Sequence, residues 1–189
     1  GGAVNITQKN TNKAVLIINW VLDLFLVFGY LVEYLKGAKD LGYVLLFIAL
    51  VLAPMIWATI LYNKDKQSNI IKYITLIGYF CIYSFALFTT TRILVYVYFF
   101  PIIAMYLLYF DIKLIYFACT AIFGLNVLRL ILNVFVQKLV TTELTTDYTI
   151  QMASVILYCL SLIITTKLSN KINSQKIESI EEEKTKSWF

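Results

Sequence analysis

The chain has 189 residues, of which 60% are hydrophobic and 14% charged, with a formal charge of +5 and a mean hydropathy of +0.78. That apolar share exceeds that of a soluble domain, and it directs the basic excess toward anionic lipid rather than nucleic acid. Histidine is absent, which excludes a His-based triad, a His metal site and a His pH switch.

A transmembrane helix needs about 20 mostly apolar residues, so this length holds six spans with short loops. The expected fold class is all-α: a polytopic membrane protein with six transmembrane helices and a C-terminal cytoplasmic helix. Gly1 and Gly2 read as a tag scar or a processed end and are set aside from the fold. The first apolar run is long and lacks a small-residue cleavage site, so no cleavable signal peptide is expected.

A tail over residues 1–13 precedes the first span, Ala14 to Leu35. The second span runs from Tyr43 to Tyr62 and ends in a polar turn, Asn63 to Asn69. The third starts near Ile70 and fades out in Thr89, Thr90 and Thr91. The fourth covers Ile93 to Phe110, the fifth Leu114 to Val136, and the sixth Tyr148 to about Thr166, with Thr146 or Asp147 as its N-cap. The domain organisation is therefore a tail over 1–13, a six-helix sensor domain over 14–166 and a linker helix over 167–189. Pro54 and Pro101 fall near the middles of the second and fourth spans. There they kink the helices, either lining a cavity or without further role.

With the N-terminus inside, the inner face collects Lys9, Lys13, Lys64, Lys66, Lys72, Lys113 and the five tail lysines. The outer face collects Lys36, Lys39, Arg92 and Lys138. This asymmetry predicts cytoplasmic termini in a cell membrane. The glycosylation-like Asn5-Ile6-Thr7 then faces the cytoplasm and is dismissed. The outer loops are too short for a ligand-binding domain, so any ligand site must be built by the spans.

Ionisable groups at membrane depth are costly and functional by default. Asp23 lies near the middle of the first span, with Asn19 one turn earlier, and Glu33 near its outer end. Arg129 lies in the outer half of the fifth span, with Asn126 and Asn133 on its face at helical spacing. Two readings stand side by side. In the structural one, Arg129 pairs with Asp23 or Glu33 and fixes the bundle, while Arg92 is an interfacial anchor. In the functional one, Arg92 and Arg129 offer positive charge to an unknown anionic or polar small molecule. Asn126, Glu33 and Tyr96 join that second site, with Tyr30, Tyr34 and Tyr98 as walls. Cys81, Cys119 and Cys159 have no paired spacing and read as packing groups. No metal, cofactor or disulfide framework is expected. No phosphate loop or nucleophile motif is present, so the chain is not expected to be an enzyme.

The final stretch, Thr165 to Phe189, alternates lysines with glutamates and contains neither Pro nor Gly, which predicts a helix leaving the last span. Glu182 precedes Lys186 by four residues, the favoured order for a helical ion pair. Leu168, Ile172, Ile177 and Ile180 are spaced four, five and three, which is not a clean heptad.

The segments NKAVLIINWVLDLFLVFGYLVEYLKGAKDLGYV (Asn12 to Val44), IIKYITLIGYFCIYSFALFTTTRILVYVYFFPI (Ile70 to Ile102) and TTDYTIQMASVILYCLSLIITTKLSNKINSQKIESIEEEK (Thr145 to Lys184) carry a resemblance. Their wording is similar to the N-terminal membrane region of methyl-accepting chemotaxis proteins of Firmicutes-type bacteria. The resemblance implies a sensory input domain, a homodimer, and a cytoplasmic kinase and coupling protein bound through a coiled-coil hairpin. That hairpin does not follow before Phe189, so a receptor cut short of its output is expected. The resemblance brings no ligand residues with it. A six-span substrate-binding subunit of a vitamin or small-molecule transporter is the alternative.

Overall fold

A computed structural model describes residues 2–90 and 92–188; Gly1, Thr91 and Phe189 lie outside the described residues, as do the side chains of residues 2–6 and 99. Gly1 of the paired glycine start, Thr91 of the threonine triplet, the Asn5 and Ile6 side chains of the glycosylation-like motif and the terminal Phe189 therefore fall outside the description. The described residues form helices and turns without a strand. In chain order they are α1 (Gly2–Leu35), α2 (Leu41–Lys64), α3 (Ile70–Thr89), a broken fourth segment, α5 (Ile112–Ile131) and α6 (Thr142–Lys186). The broken segment consists of a 3-10 helix (Ile93–Phe99), a short α4 (Phe100–Tyr106) and a second 3-10 turn (Leu107–Tyr109).

Five of these helices are long and apolar enough to cross a membrane. Their outward faces carry large apolar side chains, among them Phe25, Phe28, Trp57, Phe135 and Leu157. Such continuous apolar exposure fits lipid and not water, compatible with a multi-pass membrane protein. The fourth segment has seventeen residues, but a 3-10 helix rises about 2.0 Å per residue against about 1.5 Å for an α-helix. Its length is therefore about 30 Å, close to the thickness of a hydrocarbon core.

Short turns make the helices antiparallel neighbours. The α1–α2 turn is made possible by Gly37 at φ +74, a left-handed conformation that costs a Cβ-free residue little. Asn12 of α1 donates to the carbonyls of Lys66 (3.0 Å) and Ser68 (3.1 Å), and accepts from the Tyr109 hydroxyl (2.7 Å). This ties α1 to the α2–α3 turn and to the end of the fourth segment. Helix α3 is the hub: 67% of its apolar window is buried, against 22–39% for the other long helices. It contacts α1, α2 and α5, and α5 in turn packs on α6.

Three sequence expectations about helix ends are corrected. First, α6 begins at Thr142 with Thr141 as its N-cap, whose hydroxyl accepts from the Leu144 amide at 3.1 Å. Asp147 and Thr146 lie inside the helix because Glu143 favours its positive first turn. Second, Pro101 falls near the middle of the fourth span, where the 3-10 helix passes into α4, so the span changes helix type there instead of being one kinked α-helix. Pro54 does lie inside α2. Third, α5 passes into a π turn over Leu132–Val136, so the α spacing that put Asn133 on the Arg129 face ends between them. A left-handed Lys138 and the Leu139 N–H to Asn133 carbonyl bond (2.9 Å) then close the helix.

Helix α6 is a single 45-residue rod. Its last buried side chain is Thr166, and every described residue from Lys171 onward is exposed. Lys167 sits 5.7 Å from the Tyr116 ring centroid where the rod leaves the bundle. The expected Glu182–Lys186 pair is not formed; both side chains stand in the open.

Candidate functional site

The arrangement with most chemistry surrounds the broken fourth segment. A backbone that leaves α geometry at membrane depth exposes carbonyls that lipid cannot satisfy, and it is tolerated only where protein surrounds it. Here three helices supply the donors. From α3, Tyr79 donates to the Tyr98 carbonyl and Tyr83 to the Tyr96 carbonyl (3.0 Å). From α6, Tyr158 donates to the Phe100 carbonyl (2.7 Å). From α5, Arg129 Nη2 donates to the carbonyls of Arg92 (2.6 Å) and Thr90 (3.4 Å). In the 3-10 register the amide at Pro101 would have served Tyr98, and Pro101 has none. The Tyr79 hydroxyl takes its place.

Behind this collar runs a buried amide relay. Gln151 of α6 donates to Asn126 Oδ1 (2.8 Å), and Asn126 Nδ2 donates to the Tyr83 hydroxyl (3.1 Å) and the Ile122 carbonyl (2.9 Å). Thus α6, α5, α3 and the fourth segment are joined by one chain of hydrogen bonds. Buried, satisfied networks of this kind fix one packing arrangement.

The structure separates the residues grouped by the sequence reading. The expected Asp23–Arg129 pair is not formed: the two ion pairs among the described residues are Lys36–Glu33 (3.4 Å) and Lys72–Asp111 (2.7 Å). Glu33 pairs with Lys36 in the turn just past α1, and Arg129 is directed to backbone carbonyls. The Arg92 side chain is exposed, and Arg92 enters the network through its backbone, its carbonyl accepting from Arg129 and its amide donating to Thr90 Oγ1 at 3.2 Å. Asn126, Arg129 and Tyr96 are buried together around the 3-10 helix, with Tyr96 packed edge-on against Phe100 at 6.1 Å. Tyr30 stacks on Phe47 at 3.7 Å. Tyr34 and Tyr98 are exposed.

One atom stands out. Arg129 Nη1 is buried and has no hydrogen-bond partner, an expensive state for a charged donor. The large open groove on the molecule, about 820 Å³ between α2, α3 and α5, is lined by residues such as Phe80, Ser84 and Leu125. It does not include Arg129, Arg92, Asn126, Glu33 or Tyr96. Sequence reasoning missed Tyr79, Tyr83, Tyr158 and Gln151, whose roles depend on a neighbouring backbone and leave no spacing signal.

At the opposite end, Asp111 caps α5, accepting from the amides of Lys113 (3.1 Å) and Leu114 (3.2 Å) and from Lys72 Nζ. Partial burial pushes its carboxyl up. The Lys72 hydrogen bond and charge, with the Leu114 and Lys113 amides, pull it down by more, so it lies below its ordinary value.

Cys119 and Cys159, read from the sequence as packing groups, face one another between α5 and α6: each thiol lies against the other residue's carbonyl, at 3.8 and 4.0 Å. Both are buried, whereas Cys81 is exposed.

No protein-family model, curated protein or solved structure matches the chain.

Proposed function

We propose that the chain is the transmembrane sensory input domain of a bacterial chemotaxis-type receptor, passing a signal from the membrane or its outer face to a cytoplasmic helix. The observation that carries this reading is the unbroken α6, which joins the polar interior at Gln151 to an exposed charged end at Lys186. An α-helix of that length reaches about 68 Å at about 1.5 Å per residue. A shift at Gln151 is therefore delivered to the far end without a flexible joint. The lysine asymmetry supports a six-span arrangement with cytoplasmic termini in the cell membrane. Arg129 Nη1 is the contact offered to an anionic or polar small molecule. The kinase and coupling protein would be reached through a hairpin following this region, as the resemblance implies.

Receptors of this kind work as homodimers, and the exit helix supplies the test. Single Cys substitutions at Ile177 and Ile180, both exposed, should crosslink between copies in native membranes. Absence of crosslinking at both positions removes the parallel-dimer exit and with it this reading.

The transporter alternative draws on a different observation, the broken fourth segment with its collar of side chains. Interrupted helices at the midplane are where many transporters hold substrate. Nanomolar binding of a vitamin by the purified protein, with no dimer crosslink, would favour it.

A further inference from the structure

Asp23 is 2% exposed in the middle of α1, yet it takes part in no ion pair and no hydrogen bond. It lines a largely enclosed crevice between α1, α2 and α3, too narrow to hold a water molecule. The crevice is sealed by close contact of α2 with α3: a Cβ at Gly78 would lie 2.6 Å from Pro54 Cβ.

The polar groups around Asp23 are committed elsewhere. On its own helix, Asn19 Nδ2 donates to the Val15 carbonyl (2.8 Å). On α3, Thr75 donates to the Ile71 carbonyl (2.9 Å) and Tyr79 to the Tyr98 carbonyl. From the fourth segment, Tyr106 donates to Thr75 Oγ1 (2.8 Å). The crevice residues of α2, Val51, Pro54 and Met55, have no titratable group. Tyr79 lines the crevice and Tyr106 reaches it through Thr75; among the described residues no Lys or Arg lies within ion-pair distance of Asp23. An ionised carboxylate here would have neither counter-charge, donor nor water. A buried carboxyl in that position takes up a proton instead.

We propose that Asp23 is a proton-binding site: in this packed arrangement it is the neutral acid, and it releases its proton only when α1 parts from the Pro54–Gly78 crossing and water enters. This inference does not depend on the receptor reading. Opening the α1–α2–α3 contact and deprotonating Asp23 are then one event, so rising pH favours the open packing of α1.

Infrared spectroscopy of the full chain in lipid vesicles at neutral pH tests it, because a carboxylic acid and a carboxylate absorb at distinct frequencies. The expected result is an acid C=O band that is lost in Asp23→Asn. Asp23→Glu, which keeps the acid and displaces its frequency, assigns the band independently if Asp23→Asn does not fold. Loss of a carboxylate band in Asp23→Asn, with no acid band in the parent, overturns the proposal. So does conversion of the acid band to a carboxylate band on adding sodium chloride at constant pH, which would make the occupant a metal cation.

Discussion

Arg129 donates from Nη2 to the main-chain carbonyl of Arg92 at 2.6 Å, so one arginine holds the backbone of the other and ignores its side chain. The two positions should therefore behave differently on substitution. Arg129→Ala strands the Arg92 carbonyl, a loss of about 1–3 kcal/mol, and lowers the melting temperature in detergent. Arg92→Ala leaves that carbonyl in place and should stay within about 0.5 kcal/mol of the parent. Equal melting temperatures for the parent and both variants would remove the collar's structural role.

Asp111 holds Lys72 and the first turn of α5 as a carboxylate. Its folded-state affinity for protons is lowered, so the unfolded chain binds the proton more tightly. The stability it contributes is thus complete above the ordinary carboxylate range and is lost as pH falls through the folded-state value. Asp111→Ala should lower stability at neutral pH by about 1 kcal/mol, the worth of a cap, and flatten the acid limb of a pH–melting curve. An unchanged acid limb would show that Asp111 does not govern it.

Gly78 touches Pro54 so closely that a methyl group has no room, because the Pro54 ring lies 2.6 to 2.9 Å from the Cβ position. Gly78→Ala should cost about 1–3 kcal/mol, as overpacking does. Pro54→Gly in the same chain, which removes both clashing carbons, should recover part of that loss, and a thermodynamic cycle over the four proteins measures the coupling. Additive effects would mean that the two helices do not meet there.

The pair Cys119 and Cys159 offers a direct check on the α5–α6 interface. A lipid-soluble thiol reagent should label Cys81 in intact membranes and spare the other two until denaturation. Labelling of all three at one rate would contradict the interface.

Long apolar runs made the spans legible, and the breaks at Lys36 and Asn63 were plain because charge and amide clusters punctuate them. The exit of α6 at Thr166 was legible for the same reason, since composition changes there. The fourth segment was not. Ile93 to Phe110 is as apolar as its neighbours, and its departure from α geometry depends on hydroxyls of Tyr79, Tyr83 and Tyr158 on other helices. Depth along a helix suggested that Asp23 and Arg129 could meet. It carries no information on rotation about the helix axis, and that rotation sends Arg129 to the carbonyls and Asp23 to the crevice.

The seven residues Ile93–Phe99 are wound more tightly than an α-helix and drawn out along their axis. Rewinding them to α pitch would bring their ends about 3.5 Å closer and turn one end about 140° against the other, from the rise and residues per turn of the two helices. Tyr83 and Tyr79 pin the middle and the Pro101 end, and Arg129 pins the other. Those donors, with Tyr158 of α6 on the Phe100 carbonyl, oppose both the shortening and the turn, so the stretched register of this segment is set by three neighbouring helices.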